Sequence, residues 1–265
     1  MHGADRGIVI QERDRRLLQE LAVMRVVDRE QAMIAGGFHS TTRVNTRLLT
    51  LTRAGLLRRF FFGAAAGGRK SLYALSPRGA ALVDVSTRGP RRRNDEVLVA
   101  DFFISHQLAI NQLYCSLKYD ELPASVSFRR WISFTKPVAV GLRLIPDGYF
   151  ELEATTETVA AFVEIDLGHE RLGVWKQKIQ NYLQFAVSGE YEHRFEQRQF
   201  RVLVVANSER RLLSIRTAVR AVTQKIFWFT TLESIESKGV FAGVWLRPEG
   251  NDQQSLLPQT QQTTP

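Results

Sequence analysis

The sequence predicts an α/β chain of the α+β kind in two parts: three short helices and a hairpin, then a mixed sheet flanked by helices. Three observations carry this expectation. Apolar residues recur at helical spacing up to Gly55, and two strand-like runs around a glycine-rich tip follow at once. Beyond residue 95 the periodicities change in the order α-β-β-β-α-β-α-β, which calls for a sheet with helices packed on it. Charge divides at the same place: residues 1–94 hold 18 Lys and Arg against 7 Asp and Glu, whereas residues 95–265 hold 18 against 20.

In order, Leu17, Leu18, Leu21 and Met24 mark a first amphipathic helix over Glu12–Met24. Asp28 with Gln31 three residues later resembles a capping box for a second helix, which must end near Gly36-Gly37. Ser40 is an N-cap for a third helix that buries Val44, Leu48 and Leu51 and stops at Gly55. Its other face is polar, with Thr42, Arg43, Thr46, Thr50 and Arg53 directed away from the core and Asn45 and Arg47 on the flanks. Leu56–Phe62 and Arg69–Leu75 read as strands around a flexible tip, 63–68, the second strand ending at Ser76-Pro77. The GAAAGGRKS run, 63–71, is not a phosphate loop: Arg69 stands where the lysine must be, and two strands flank it rather than a strand and a helix.

This first part, about Arg13–Val83, resembles winged-helix domains. The resemblance implies contact with double-stranded DNA, through Thr42, Arg43, Asn45, Thr46, Arg47 and Arg53 on the third helix and Arg69 and Lys70 at the wing. A solvated basic helix or a protein-contact surface is the alternative; the charge surplus local to this part favours DNA. Residues 84–94, DVSTRGPRRRN, read as a linker in which Arg91, Arg92 and Arg93 either touch a DNA backbone or form a solvated charge run.

The second part, 95–247, is read as a long helix over Asp95–Leu117 carrying His106, then a strand over Val126–Phe134. A hairpin follows, with strands over Tyr149–Leu152 and Val159–Leu167. Leu172, Trp175, Ile179 and Leu183 then repeat at helical spacing. A buried strand over Phe200–Ala206, a helix from Glu209 to about Gln224, and strands near 226–231 and 240–246 complete it; the Gln/Thr-rich tail, 248–265, reads as disordered.

The chemistry-bearing stretch lies in that hairpin and helix. Residues two apart on a strand share a face, so Glu164 and Asp166 project together, and Asp147 at the end of the neighbouring strand can lie beside them. Three converging carboxylates need a proton or a hard cation between them, and magnesium is the cation of phosphate-cleaving sites. Lys176 and Lys178 can reach back from the next helix to stabilise charge on a phosphate. The order Pro146-Asp147 and Glu164-Ile165-Asp166 resembles the PD-(D/E)xK nuclease fold, with Asp166 where that fold usually has lysine. The resemblance implies Asp147, Glu164 and Asp166 as metal ligands, Lys178 as the displaced lysine, and Tyr182 one turn later as its companion. The whole pattern, from winged helix through PDGYF, VEIDLG and KIQNYLQF, resembles the replication-relaxation family of bacterial mobile-element proteins, which implies a role in processing or relaxing DNA for plasmid replication or transfer.

Two functions follow as expectations: a magnesium-dependent nicking nuclease, or a site-specific DNA-binding or regulatory protein whose nuclease-like domain is inactive. A relaxase of the paired-histidine kind and a zinc hydrolase are set aside. His2, His39, His106, His169 and His193 contain no such pair, and there is no HExxH motif or cysteine cluster. The single cysteine, Cys115, allows no disulfide within one chain and fits a reducing cytoplasm. The run Ile8–Ile10 is far below a signal-peptide core, and nothing approaches the ~18 apolar residues of a membrane span, so no membrane partner is expected. The net charge of +9 calls for an anionic partner. A homodimer, and contacts with other replication or transfer proteins, stay open.

Overall fold

The computed structural model describes residues 8–63, 68–87, 89, 97–98, 102–155 and 157–257. The linker arginines Arg91, Arg92 and Arg93 lie outside them. The chain forms two compact units, Met1–Cys115 and Ser116–Pro265.

In the first unit, α1 (Glu12–Met24), α2 (Arg29–Gly36) and α3 (Thr41–Arg53) follow the predicted order. Asp28 Oδ1 accepts the Gln31 N–H at 2.8 Å and Ser40 caps α3, so the capping residues set both helix starts. Leu17, Leu18, Leu21, Val44, Leu48 and Leu51 are fully buried. The hairpin β1 (Leu57–Gly63) and β2 (Arg69–Leu75) is antiparallel, with Phe60 opposite Leu72. Past it the Ser76-Pro77 strand stop is also a helix start. Ser76 accepts the Gly79 N–H at 2.9 Å and Pro77 opens α4 (Pro77–Leu82). Gly79 is required there, because a Cβ would meet the Leu56 carbonyl oxygen at 2.1 Å.

The predicted helix from Asp95 begins later. Val97–Leu98 forms a short strand, β3, parallel to Phe61-Phe62 at the edge of the hairpin, giving the order β2-β1-β3. The helix proper, α5, is Phe102–Tyr119. Its first four turns belong to the first unit, so the contacts divide the chain inside α5 and not at residues 84–94. The cause is a set of buried polar and apolar ties that no local pattern reports. Asn111 donates to the Val26 carbonyl at 2.6 Å, the Tyr114 hydroxyl to Glu20 at 2.6 Å, and Ile104 packs with Val26, Phe60, Leu72 and Ala74.

The second unit is built on a five-stranded mixed sheet, β4 (Val126–Ile132), β5 (Gly148–Ala154), β6 (Thr158–Asp166), β7 (Arg201–Ala206) and β8 (Phe227–Thr231), in sequential order. β4 to β6 are antiparallel neighbours; β6, β7 and β8 are parallel. The parallel crossovers pass through α6 (Leu172–Val187) with α7 (Glu190–Phe195), and through α8 (Glu209–Arg220). Alternate residues of β6 and β7, among them Phe162 and Val204, pack against Trp175, Ile179, Tyr182 and Phe185 of α6 and Leu212 and Ile215 of α8. Phe162 is the aromatic hub, with ring centroids 4.9 Å from Tyr149 and 5.0 Å from Phe200.

At the C-terminal end the structure departs from the sequence reading. α9 (Leu232–Lys238) follows β8, with the Thr231 side chain as its N-cap. The expected strand over 240–246 reduces to isolated bridges, Phe229 with Leu246 and Trp245 with Gln254. The tail read as disordered from residue 248 is folded against the second unit over its described part, with Leu256 and Leu257 buried; residues 258–265 lie outside the described residues. Among the described residues, no helix is long and apolar enough to cross a membrane.

Candidate functional site

In the first unit, the polar face of α3 is exposed where the sequence places it. Thr42, Arg43, Asn45, Thr46 and Arg53 lie at the surface, and the helix contains no acidic residue. A groove of about 640 Å³ separates α3 from the hairpin and is lined by Asn45, Arg59, Arg69, Lys70 and Tyr73, with Arg29 and Glu30 at one side. Two of the predicted contacts are committed elsewhere. Arg47 turns inward and donates through Nε to Asp14 Oδ1 at 2.7 Å, with Nη2 on the other oxygen, so it closes a buried ion pair between α1 and α3. The Asp14 carboxylate is fully buried, and its hydrogen bonds raise the Arg47 guanidinium further above its ordinary value. Lys70 reaches back to Asp28 at 2.6 Å while its side chain stays about half exposed.

In the second unit, Glu164 and Asp166 lie at the C-terminal end of β6, with Asp147 beside them just before β5, the end of the strands at which open sheets place their sites. Asp147 Oδ2 accepts the Ile165 N–H at 2.7 Å, which sets that carboxylate beside Glu164. Glu164 is 1% exposed and holds both oxygens in hydrogen bonds, Oε2 to Lys178 Nζ at 2.8 Å and Oε1 to the Tyr182 hydroxyl at 2.6 Å. Lys178 and Tyr182 are four positions apart, so one face of α6 presents both to the strand.

Asp166 shares the strand face but not the cluster. Its oxygens accept Arg211 Nε and Nη2, each at 2.7 Å, the Trp175 indole N–H at 2.6 Å and the Gly168 N–H at 2.7 Å. Gly168 reaches this turn with φ +87°. Asp166 is therefore a buried counter-ion for α8 and not a third member of an acidic triad.

Charge state follows from these surroundings. Burial pushes Glu164 up to about 7, with Asp147 adding to the rise and Lys178 and Tyr182 opposing it. Burial alone would lower Lys178, but Glu164 and Glu170 outweigh it and hold the ammonium above its ordinary value. At neutral pH a charged lysine thus faces a carboxyl on the edge of titration. Burial also pulls Asp166 upward, but the Arg211, Trp175 and Gly168 bonds outweigh it and leave the carboxylate below its usual range. Burial and the adjacent Glu164 carry the Tyr182 phenol well above its ordinary value, so it stays protonated and donates to Glu164.

These residues are engaged with one another: the Lys178 ammonium lies against Glu164 and also donates to Glu170 at 2.9 Å, so a divalent cation at Glu164 would have to displace it. Asp166 is saturated by Arg211. Among the described residues, no group of three or more His, Cys, Asp or Glu side chains is placed to hold a metal ion. Sequence reasoning missed Glu170, Arg211 and Trp175. The DLGHE turn after β6 brings Glu170 under Lys178, but Arg211 is 45 residues from its partner, and no spacing rule reaches that far.

The structure is thus a mixed α+β protein whose basic helical unit precedes a five-stranded sheet with ion-paired acids at its edge. Residues 16–197 match the replication-relaxation family, and the chain belongs to that family. The restriction endonuclease FokI is similar at 12% identity over 85% of this chain and 43% of that chain, with a TM-score of 0.32. That superposition is too loose to carry an assignment, and this chain spans less than half of that enzyme's length. No curated protein matches the chain.

Proposed function

We propose that the protein binds double-stranded DNA through a winged-helix unit, with α3 as the recognition element and the β1–β2 hairpin as the wing, in the replication or transfer of a mobile element. The observation that carries this reading is the exposed face of α3, where Thr42, Arg43, Asn45, Thr46 and Arg53 stand together without an acid, beside a groove edged by Arg69 and Lys70. Hydroxyls and arginines contact phosphates, and Asn45 and Arg43 have the donor pattern for base edges. A helix and wing with this charge approach the polyanion by counterion release, so affinity falls steeply with salt. Fluorescence anisotropy with a labelled duplex across a salt series tests it. Arg43→Ala and Arg69→Ala are expected to weaken binding and each to reduce the salt slope by about one. Unchanged affinity in both variants would remove α3 and the wing as the DNA surface.

A nicking activity is the second reading, favoured by one observation: Asp147, a Glu164 pushed up to about 7 and Lys178 share the strand edge. It resembles the PD-(D/E)xK arrangement, and magnesium would have to displace Lys178 from Glu164. Supercoiled plasmid incubated with the protein and magnesium decides it. Nicked product that disappears in Glu164→Ala supports the enzyme. Intact plasmid, or equal nicking by the variant, leaves the sheet domain as a binding or partner-contact element.

A further inference from the structure

At the opposite end of the parallel strands, a second constellation has the reverse charge. The starts of β6 and β7 and the approach to β8 enclose a cleft of about 430 Å³ lined by Arg198, Arg201, Lys225, Trp228 and Arg247, with Glu157 as its one acid. The guanidinium carbons of Arg201 and Arg247 each lie 4.6 Å from the centroid of the Trp228 indole ring. One indole ring therefore contacts both guanidinia. The attraction of an indole face for a guanidinium is modest and does not cancel the repulsion between two of them. Burial lowers both arginines from their ordinary value, and at Arg247 the neighbouring Arg201 lowers it further.

The closest internal partners of these cations are neutral backbone carbonyls. Arg201 donates to the Leu256 carbonyl, and Arg247 to the Gln224 carbonyl at 3.3 Å. Glu157 reaches Arg201 only at 3.8 Å. Arg198 and Lys225 are exposed at the rim, and neither has an ion-pair partner among the described residues. A second cleft, of about 350 Å³ and lined by residues 253–257, shares Arg201 and Trp228 with the first. Two guanidinia, each held by a backbone carbonyl and the same indole, line one cleft, and both can donate to an anion seated there. The adjoining cleft gives room for more than the anion alone.

We propose that this cleft binds a phosphate group carried by a nucleotide, either a free mononucleotide or the terminal phosphate of a DNA strand. Arg201 and Arg247 grip the phosphate, and Arg198 and Lys225 supply the field that draws it in. The site is built from residues of the second unit alone, so it does not depend on the duplex-binding reading.

Isothermal titration of the full chain at low salt tests the proposal with four probes: deoxyadenosine monophosphate, deoxyadenosine, and a short oligothymidylate with and without a terminal 5′-phosphate. Each phosphate-terminated probe that uses the site is expected to bind at least about tenfold more tightly than its partner lacking the phosphate. The preference should vanish in Arg198→Glu/Lys225→Glu, whose positions are exposed and whose unchanged melting temperature reports an intact fold. It should persist in Arg43→Ala, which separates this site from the duplex surface. A preference for the mononucleotide identifies a free nucleotide as sufficient; a preference confined to the oligomer identifies a strand terminus. No phosphate preference with either pair, or a preference unaltered by the double variant, overturns the proposal.

Discussion

The α3 surface and the β6–α6 edge both look functional by composition, yet their charges are used in opposite ways. On α3, Arg43 and Arg53 face solvent with hydroxyls and an amide between them. At the strand edge, Glu164 and Asp166 are 1% and 2% exposed, and each is held by a cation and a second donor from the covering helices. An exposed charge without a fixed partner loses little when a ligand arrives, whereas a buried ion pair must first be broken and left unsolvated. The first arrangement is ready to meet a polyanion. The second holds α6 and α8 against the sheet.

The contrast can be broken at its strongest point first. Arg211→Met leaves the Asp166 carboxylate buried with only neutral donors, and a loss of about 3–5 kcal/mol in chemical denaturation is expected. A loss below ~1 kcal/mol would mean that the strand edge is not a structural lock.

Arg47→Ala sharpens the contrast inside one helix. Because Arg47 neutralises the fully buried Asp14, its removal should cost about 3 kcal/mol of stability. Arg43→Ala, one turn earlier, should leave the denaturation midpoint within about 0.5 kcal/mol of wild type. Equal stability of the two variants would erase the distinction between pairing and binding arginines.

The two carboxylates of β6 should also respond oppositely to pH. Glu164 is raised to about 7 in the folded chain from an ordinary value of 4.5, so the native state binds the extra proton between those values. Stability contributed this way is present below pH 4.5 and is lost as pH rises toward 7, by about 1–3 kcal/mol. Asp166 is lowered, so its contribution is present above the ordinary carboxylate range and is lost as pH falls through its depressed folded value. Glu164→Gln should flatten the first slope and leave the second; a stability curve unchanged between pH 4.5 and 7 would contradict the burial of an ionising Glu164.

The parts visible in the sequence were those governed by short-range rules. The cap residues Asp28 and Ser40, the buried stripe of Val44, Leu48 and Leu51, and the pairing of Glu164 with Lys178 across one turn and one helix start all follow from spacing. What escaped was set by partners distant in the chain. Arg47 sits on the flank of the helical wheel until Asp14, 33 residues earlier, draws it in. Asp166 looks like a ligand until Arg211 arrives from α8. Val97-Leu98 carries no strand signal of its own and becomes one because β1 offers an open edge. Leu256 and Leu257 are too few to lift a Gln/Thr-rich stretch above a disordered reading, yet both are buried.

The smallest effect in free energy is also the most direct test. Duplex affinity of the wild type, Arg43→Ala and Glu164→Gln, measured side by side by anisotropy without magnesium, places the DNA surface on one region or the other. The expected result is a loss of roughly tenfold, about 1.4 kcal/mol, for Arg43→Ala with a shallower salt slope, and wild-type affinity for Glu164→Gln. Wild-type affinity for Arg43→Ala together with a changed affinity for Glu164→Gln would contradict it and move the nucleic-acid site to the strand edge.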